Sequence, residues 1–570
     1  MHIILKKYIP VFLPVLLIIF SFQTSAQIFR TKNYPQHYFQ WPVSAAIGIA
    51  ANFGELRPNH YHMGLDCRTD QKENKPVYAA ADGYIAKVKI EPFGFGRCIY
   101  INHPNGYTTL YAHLNAFEPA LEKYVTDQQY RLQQWDVFID IPQNLFPVKQ
   151  GDQIASSGNT GGSQGPHTHF EIRDTKTDKN LNPLLFGMPL QDNIAPDIIR
   201  LAVYDRTIST YDQTPKIYSL KKTDGIYSPV GGKITAPSDK VSFAITAYDR
   251  YTGSTNQNGI YGAAIFDGDE RLSSFEVDNI SYDDTRYLNA HIDYPLRARG
   301  GPWLQHLSPL PGYTNSIYTT DSRRGILQVN DTEHKVSIFV ADANGNTSAM
   351  RFMLEPPTAI PVQKQIDATQ KFIPNYLNVF ENEHVHFYLP ENALYDTVNF
   401  VYKEFANNGS TIYQLHDATI PVHTHFTINI KADFAADDTG KIVMKRSYSS
   451  KQDFKKAGYN NGWYSASFRE FGNFELLIDR EPPSIVPLGF RNNMSAAGLR
   501  RIAFSVKDNS EDMQSFEAML DGKWLRFSND KGRNFIYVFD EHCPPGPHVL
   551  VVTATDLVGN KTEKIYNFTR

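Results

Sequence analysis

Three short segments in the first third of the chain bring together side chains that hold metal ions and move protons. They are His62-Met63-Gly64-Leu65-Asp66, then Tyr111-Ala112-His113-Leu114, and then a Gly-rich run from residue 158 that ends in Pro166-His167-Thr168-His169-Phe170-Glu171. Imidazole nitrogen and carboxylate oxygen both ligate zinc at about 2.0–2.2 Å, and three protein ligands leave the fourth tetrahedral position to water. One His, one Asp and a second His therefore form the donor set of a hydrolytic metal site rather than a closed structural one. With 3 Cys in the whole chain, the thiolate ligands of structural sites are nearly absent.

The spacing sets conditions on the backbone. In a strand, residues i and i+2 share a face roughly 6.6 Å apart, so His167 and His169 would project side by side. One can ligate while the other reaches a water or the substrate. His62 and Asp66 would lie about 13 Å apart in a straight strand, too far to share one ion. Gly64 between them is expected to supply a bulge or a positive φ that bends the segment. The glycines before His167 are expected to let the backbone approach a ligand closely.

The elements that must position these residues read as strands and turns. Short runs at residues 84–90, 98–102 and 107–111 are separated by Pro, Gly and Asn, and helical periodicity is weak except near residues 119–129. The chain has 570 residues, long enough for several domains. Its composition is ordinary and globular, with 41% hydrophobic and 20% charged residues, and 33 Tyr and 36 Phe lean toward β structure. A net charge of −4 gives no basic excess for nucleic acid. Lys6 and Lys7, an apolar run over residues 8–22 and Thr24-Ser25-Ala26 have the order of a secretory signal peptide. The division expected is 1–26 signal peptide, 27–190 a domain holding the three His/Asp segments, 191–357 β-sandwich with an insertion near 279–324, 358–480 β-rich module and 481–570 β-sandwich. Two of these modules look duplicated. Val241-Ser242-Phe243-Ala244 before Asp249 parallels Ile502-Ala503-Phe504-Ser505 before Asp508, and Asp342-Ala343-Asn344-Gly345-Asn346 parallels Asp556-Leu557-Val558-Gly559-Asn560. Asp342 and Asp556 are read as hairpin-turn residues, with calcium as the alternative.

The order His-x-Gly-x-Asp, Tyr-x-His-Leu, Gly-Asn-Thr-Gly and Gly-Pro-His-x-His-Phe-Glu resembles the lysostaphin/LytM-type zinc endopeptidases that cut peptidoglycan peptides. Pro76-Val77-Tyr78-Ala79 with Asp82-Gly83, and Asn182-Pro183, fit the same family. The resemblance covers about residues 50–187. It implies an all-β chain: an antiparallel β-sheet peptidase domain followed by about three β-sandwich, immunoglobulin-like modules, in the manner of multidomain Bacteroidota proteins. It implies His62, Asp66 and His169 as Zn2+ ligands and His113 and His167 as the catalytic pair. It implies peptidoglycan stem peptides as substrate, an exported and most plainly periplasmic location with the cell surface or secretion as alternatives, and envelope protein partners at the C-terminal modules. Neither nucleic acid nor a membrane span after signal cleavage is expected. Two other readings stand beside it: a non-hydrolytic regulator that activates a separate amidase, and a zinc peptidase for protein substrates.

The remaining candidates have plainer readings. His423-Thr424-His425-Phe426 repeats the letters of residues 167–170 without the Gly-rich lead, and it is read with His384 and His386 as structural. His60 is read as groove wall, His103 as a turn residue, and Tyr111 and Asn159 as packing or turn chemistry. Glu171 shares strand parity with His169 and could orient it. Export would permit a Cys67–Cys98 disulfide. The stretch 115–148 exceeds the family's minimal form; it is expected either to rim the groove or to dock a partner.

Overall fold

A computed structural model describes residues 28–570 apart from 31, 359–366, 408–409, 511–512 and 533. The signal-peptide reading falls outside the described residues. The first unit is built on an antiparallel sheet of β1 (Ile49–Ala51), β2 (Leu65–Arg68), β3 (Gly83–Ile90), β4 (Arg97–Asn102), β5 (Tyr107–Ala112), β6 (Val137–Asp140) and β7 (His167–Asp174). Their spatial order is β1-β2-β7-β5-β4-β3-β6.

Alternation along β7 decides which side chains meet. Phe170 and Ile172 face the apolar core, joined there by Leu65 and Cys67 of β2. Burying such a side chain stabilises the sheet by roughly 1.5–3 kcal/mol. His167, His169, Glu171 and Arg173 are thereby turned to the opposite face. The register sets His169 between Asp66 of β2 and Ala112 of β5.

The long stretch after β5 forms helix α1 (Pro119–Leu132) and then β6, which extends the sheet along β3. Glu118 caps α1 by accepting from the Ala120 and Leu121 amides, and Leu121 and Val125 pack into the core. The stretch adds an edge strand to the sheet and packs against the C-terminal part of the same chain. Tyr130 of α1 stacks on His542 with ring centroids 3.7 Å apart and meets Trp524 edge-on, while Arg526 donates to the Gln129 carboxamide at 3.0 Å.

Beyond residue 190 the described chain is almost entirely strands and turns. The two resembling stretches fold alike at the matched positions. β8 (Asp197–Asp205) pairs with β9 (Lys240–Tyr248), as Ser484–Pro487 pairs with β11 (Arg501–Lys507). β10 (His334–Ala341) and β12 (Pro547–Asp556) each turn back into an antiparallel partner. Between them, residues 369–479 form two five-stranded sheets around one aromatic-rich core. Cys67, Cys98 and Cys543 are buried free thiols, so the Cys67–Cys98 disulfide does not form.

Candidate metal centre

Three donor atoms converge on the polar face of the first sheet. His62 Nε2 lies 2.9 Å from Asp66 Oδ1 and 3.0 Å from His169 Nδ1, and His169 Nδ1 lies 2.9 Å from Asp66 Oδ1. Donors on one tetrahedral zinc stand roughly 3.3 Å apart at bond lengths of about 2.0–2.1 Å, so the triangle needs only slight expansion. All three residues are buried.

The proton positions make the case stronger. His62 Nδ1 sits 2.7 Å from the Asn52 carbonyl, which can only accept, so Nδ1 carries the hydrogen and Nε2 presents a lone pair. His169 Nε2 donates to Glu171 Oε1 at 2.9 Å, leaving Nδ1 to face the triangle. Asp66 Oδ1 adds a carboxylate, while its Oδ2 accepts from Arg57 at 2.8 Å. Three acceptors in mutual contact inside the protein require a cation. With no ion present, a proton on His169 serves instead: burial opposes it, but Asp66 and Glu171 raise this imidazole to about 9. His62 goes the other way, lowered to about 4, chiefly by burial.

The bend between His62 and Asp66 is real, but its cause differs from the expected bulge or positive φ. Gly64 is absent from the left-handed residues, and what it supplies is space. A Cβ there would lie 2.4 Å from the Phe170 carbonyl oxygen and 2.9 Å from His169 Nε2. Gly161, in the run before His167, does take a positive φ of 67° and lies against the Gly96 backbone.

His113 and His167 flank the triangle. His113 Nδ1 is held by the Thr160 carbonyl at 2.8 Å, and burial with the neighbouring imidazoles lowers the ring to about 3, so its Nε2 is an available base. His113 also adopts a left-handed φ of 61°, a backbone cost of the kind concentrated at working sites. His167 Nδ1 bonds the Gly165 carbonyl at 2.8 Å, and its Nε2 lies 3.3 Å from Asp66 Oδ1. The two rings stand 4.8 Å apart. A cleft of about 660 Å³ runs past His167 between Arg68, Pro166 and Thr252.

The other candidates fall away from this centre. His60 is exposed and bonds the Pro58 carbonyl, outside the cluster. His103 bonds the Asp82 carbonyl and Thr109, and Tyr111 is fully buried with its hydroxyl on the Ala80 amide. His423 stacks on Tyr287 and bonds Tyr395, His384 pairs with Glu404, and His386 packs on Trp463. Asn159 instead receives the Lys531 ammonium at 3.2 Å.

Several supporting residues were not anticipated. Tyr282, from the 279–324 insertion, donates to Glu171 Oε1 at 2.5 Å and packs edge-on against Phe95. Arg173 donates to Glu171 Oε2 at 2.7 Å. Asp530 accepts from the Gly161 amide at 2.8 Å, and Lys531 reaches the Ser163 carbonyl, so a turn near the C-terminus braces the Gly-rich loop. A strand-parity signal points to Arg173, two residues past Glu171. Nothing local marks Tyr282 or Lys531.

Residues 60–130 match the Peptidase family M23 model. The chain carries a Peptidase family M23 domain. A metalloprotease of Haemophilus influenzae, described as uncharacterized, is 34% identical over 24% of this chain and 22% of its own length. The DD-carboxypeptidase/endopeptidase Mpg of Neisseria meningitidis serogroup B is 34% identical over 22% of this chain and 23% of its own. The chain thus spans under a quarter of the length of these relatives. The solved catalytic domain of lysostaphin from Staphylococcus simulans is 23% identical over 24% of this chain and 87% of that one, with a TM-score of 0.18. Residues 369–479 match a Zu5-like domain.

Proposed function

We propose that this protein is an exported zinc endopeptidase that hydrolyses peptide cross-links of peptidoglycan in the periplasm. The observation that carries the reading is the buried triangle of His62 Nε2, Asp66 Oδ1 and His169 Nδ1, three ligand atoms in mutual contact that a cation, or a single proton on His169, must reconcile. The names of the relatives support the choice of substrate, since one acts as a DD-carboxypeptidase/endopeptidase.

His62, Asp66 and His169 would hold the metal, which when bound supplies Lewis acidity toward a scissile carbonyl and acidity to a water. Asn52 and Glu171 fix the two ligand rings by accepting from their outer nitrogens. His113 Nε2, left as a free lone pair by the Nδ1 bond to Thr160, accepts a proton as the water attacks. His167 Nε2 stands on the other side, and once it has taken up a proton it donates to the oxyanion or the departing amine. In a Gram-negative envelope the cross-link proposed as target is the D-Ala to diaminopimelate bond.

The test is metal content set beside activity. Asp66→Ala and His169→Ala should lose both zinc and cleavage of cross-linked muropeptide dimers. His113→Ala and His167→Ala should keep one zinc per chain and lose cleavage. Zinc bound equally by all four variants would remove the assignment.

A further inference from the structure

The duplicated modules share a feature that turn chemistry does not absorb. In the first copy, Asp192, Asp249 and Asp342 each place a carboxylate oxygen within 4.8 Å of the other two. In the last module, Asp479, Asp508 and Asp556 do the same. The positions correspond: a connector aspartate, the residue just after β9 or β11, and the residue just after β10 or at the end of β12.

The internal bonding corresponds as well. Asp342 Oδ1 accepts from the Asn344 and Asn346 amides, and its Oδ2 from the Asn346 carboxamide at 2.7 Å. Asp556 Oδ1 accepts from the Val558 and Asn560 amides, and its Oδ2 from the Asn560 carboxamide at 2.7 Å. The same Asn then bonds the connector backbone, Asn346 to Asp192 and Asn560 to Asp479. This much is a well-made turn.

What the turn leaves over points to a ligand. Asp249 Oδ1 and Asp192 Oδ2 are buried without any hydrogen-bond partner, as are Asp508 Oδ1 and Asp479 Oδ2 in the second copy. Asp249 is 1% exposed and Asp479 3%. Asn258, the backbone bridge partner of Asp249, has a buried unpartnered side-chain amide oxygen too. Among the described residues, no Lys, Arg or His forms an ion pair with any of the six aspartates. Buried carboxylates in mutual contact and left unpaired are strongly unfavourable, and the same arrangement occurs twice.

We propose that each aspartate triad binds one calcium ion, which ties the connector to the end of the module that follows it. The donors are all oxygen, which selects a hard cation over zinc. Oxygens on one Ca2+ at about 2.3–2.6 Å are separated by up to about 5 Å, which accommodates the observed spread. Magnesium demands a tighter octahedron at about 2.0–2.1 Å and keeps its waters.

Both ions would sit at junctions. Tyr251, two residues past Asp249, is buried in the core of the peptidase unit. The Asp479 amide bonds the Lys441 carbonyl in the middle module, and the Lys441 ammonium reaches the Asn560 carboxamide oxygen at 2.6 Å. The first ion would fix the peptidase unit against its neighbour. The second would fix the last module, which carries the Asp530–Lys531 turn that braces the Gly-rich loop.

The experiment uses the full zinc-loaded chain, freed of calcium on a chelating resin and then repleted with one zinc. Titration with calcium alone, read by native mass spectrometry and calorimetry, should give two further ions per chain. Asp249→Asn and Asp508→Asn should each reduce that to one, and the double variant to none, with zinc unchanged. Calcium should raise the melting temperature of the wild type and slow proteolysis at the connectors, with magnesium far less effective. Each Asn variant should melt no lower than the wild type without calcium, because Asn keeps the shape in a crowd of carboxylates, and should lose part of the calcium-induced rise. A merely structural aspartate would give the opposite sign. No calcium bound at millimolar concentration, or a stoichiometry untouched by both variants, overturns the proposal. Should a variant fail to fold, the wild-type count decides alone: two upholds it, and none or one overturns it.

Discussion

Replacing Glu171 by Gln probes how firmly the metal triangle is held from behind. Glu171 is fully buried and accepts from His169 Nε2, the Tyr282 hydroxyl and the Arg173 guanidinium. Burial alone would raise its carboxyl, but Arg173 and His169 hold it down at about 2, so it is charged at every working pH. Gln keeps the shape and can still accept from His169, but it removes the charge that makes His169 a strong donor to a metal. Loss of such outer support typically costs 10–100-fold in metal affinity, about 1.4–2.8 kcal/mol. The change also turns an amide toward Arg173, which keeps only the exposed Asp178 as an anionic partner. Breaking a buried pair costs about 3–5 kcal/mol, and the surviving Asp178 contact places the expected loss at or below the low end. Zinc affinity is measured by competition with a chromophoric chelator, and metal-free stability by urea unfolding of the first transition. Unchanged zinc affinity in a folded variant would refute the claim that the metal is held through His169 Nδ1.

Gly64→Ala puts a methyl into the Phe170 carbonyl and should loosen β2 from β7 at a cost of about 1–3 kcal/mol, with zinc content falling further than stability; full zinc retention would contradict the packing argument. His169, raised to about 9 in the metal-free protein, is protonated below that value, so zinc binding at pH 7 should release about one proton and at pH 10.5 almost none. Calorimetry in buffers of different ionisation heat counts it. The same shift stabilises the metal-free fold fully below about pH 6.5 and is lost as pH rises through about 9. Lys531→Ala removes the bonds to Asn159 and Ser163 and should raise KM for cross-linked substrate several-fold while zinc content stays at one; an unchanged KM would free the last module from any part in the groove.

The proposed metal centre is legible in the sequence because its five side chains sit in motifs whose local geometry is self-contained. His167 and His169 share a face through strand alternation, and Glu171 follows by parity. The sequence suggests that Gly64 supplies a bulge or a positive φ to bend the segment, whereas the structure requires it for closeness to β7, a strand about a hundred residues away. Tyr282 was invisible for the same reason: it reaches Glu171 across 111 positions of sequence and from another module. The stretch 115–148 offered docking or a groove rim, and only the folded chain shows Tyr130 stacked on His542. Asp342 and Asp556 were correctly seen in turns. Their partners Asp192, Asp249, Asp479 and Asp508 come from separate connectors and strand ends, and no spacing rule links them.

The most direct test of the account is digestion of purified, cross-linked Gram-negative peptidoglycan by the zinc-loaded chain, with products resolved by mass spectrometry. A chelator control and His113→Ala run alongside. Cross-linked dimers should disappear and monomers accumulate, with both controls silent. Intact dimers despite one zinc per chain would contradict the reading of this centre as a wall endopeptidase.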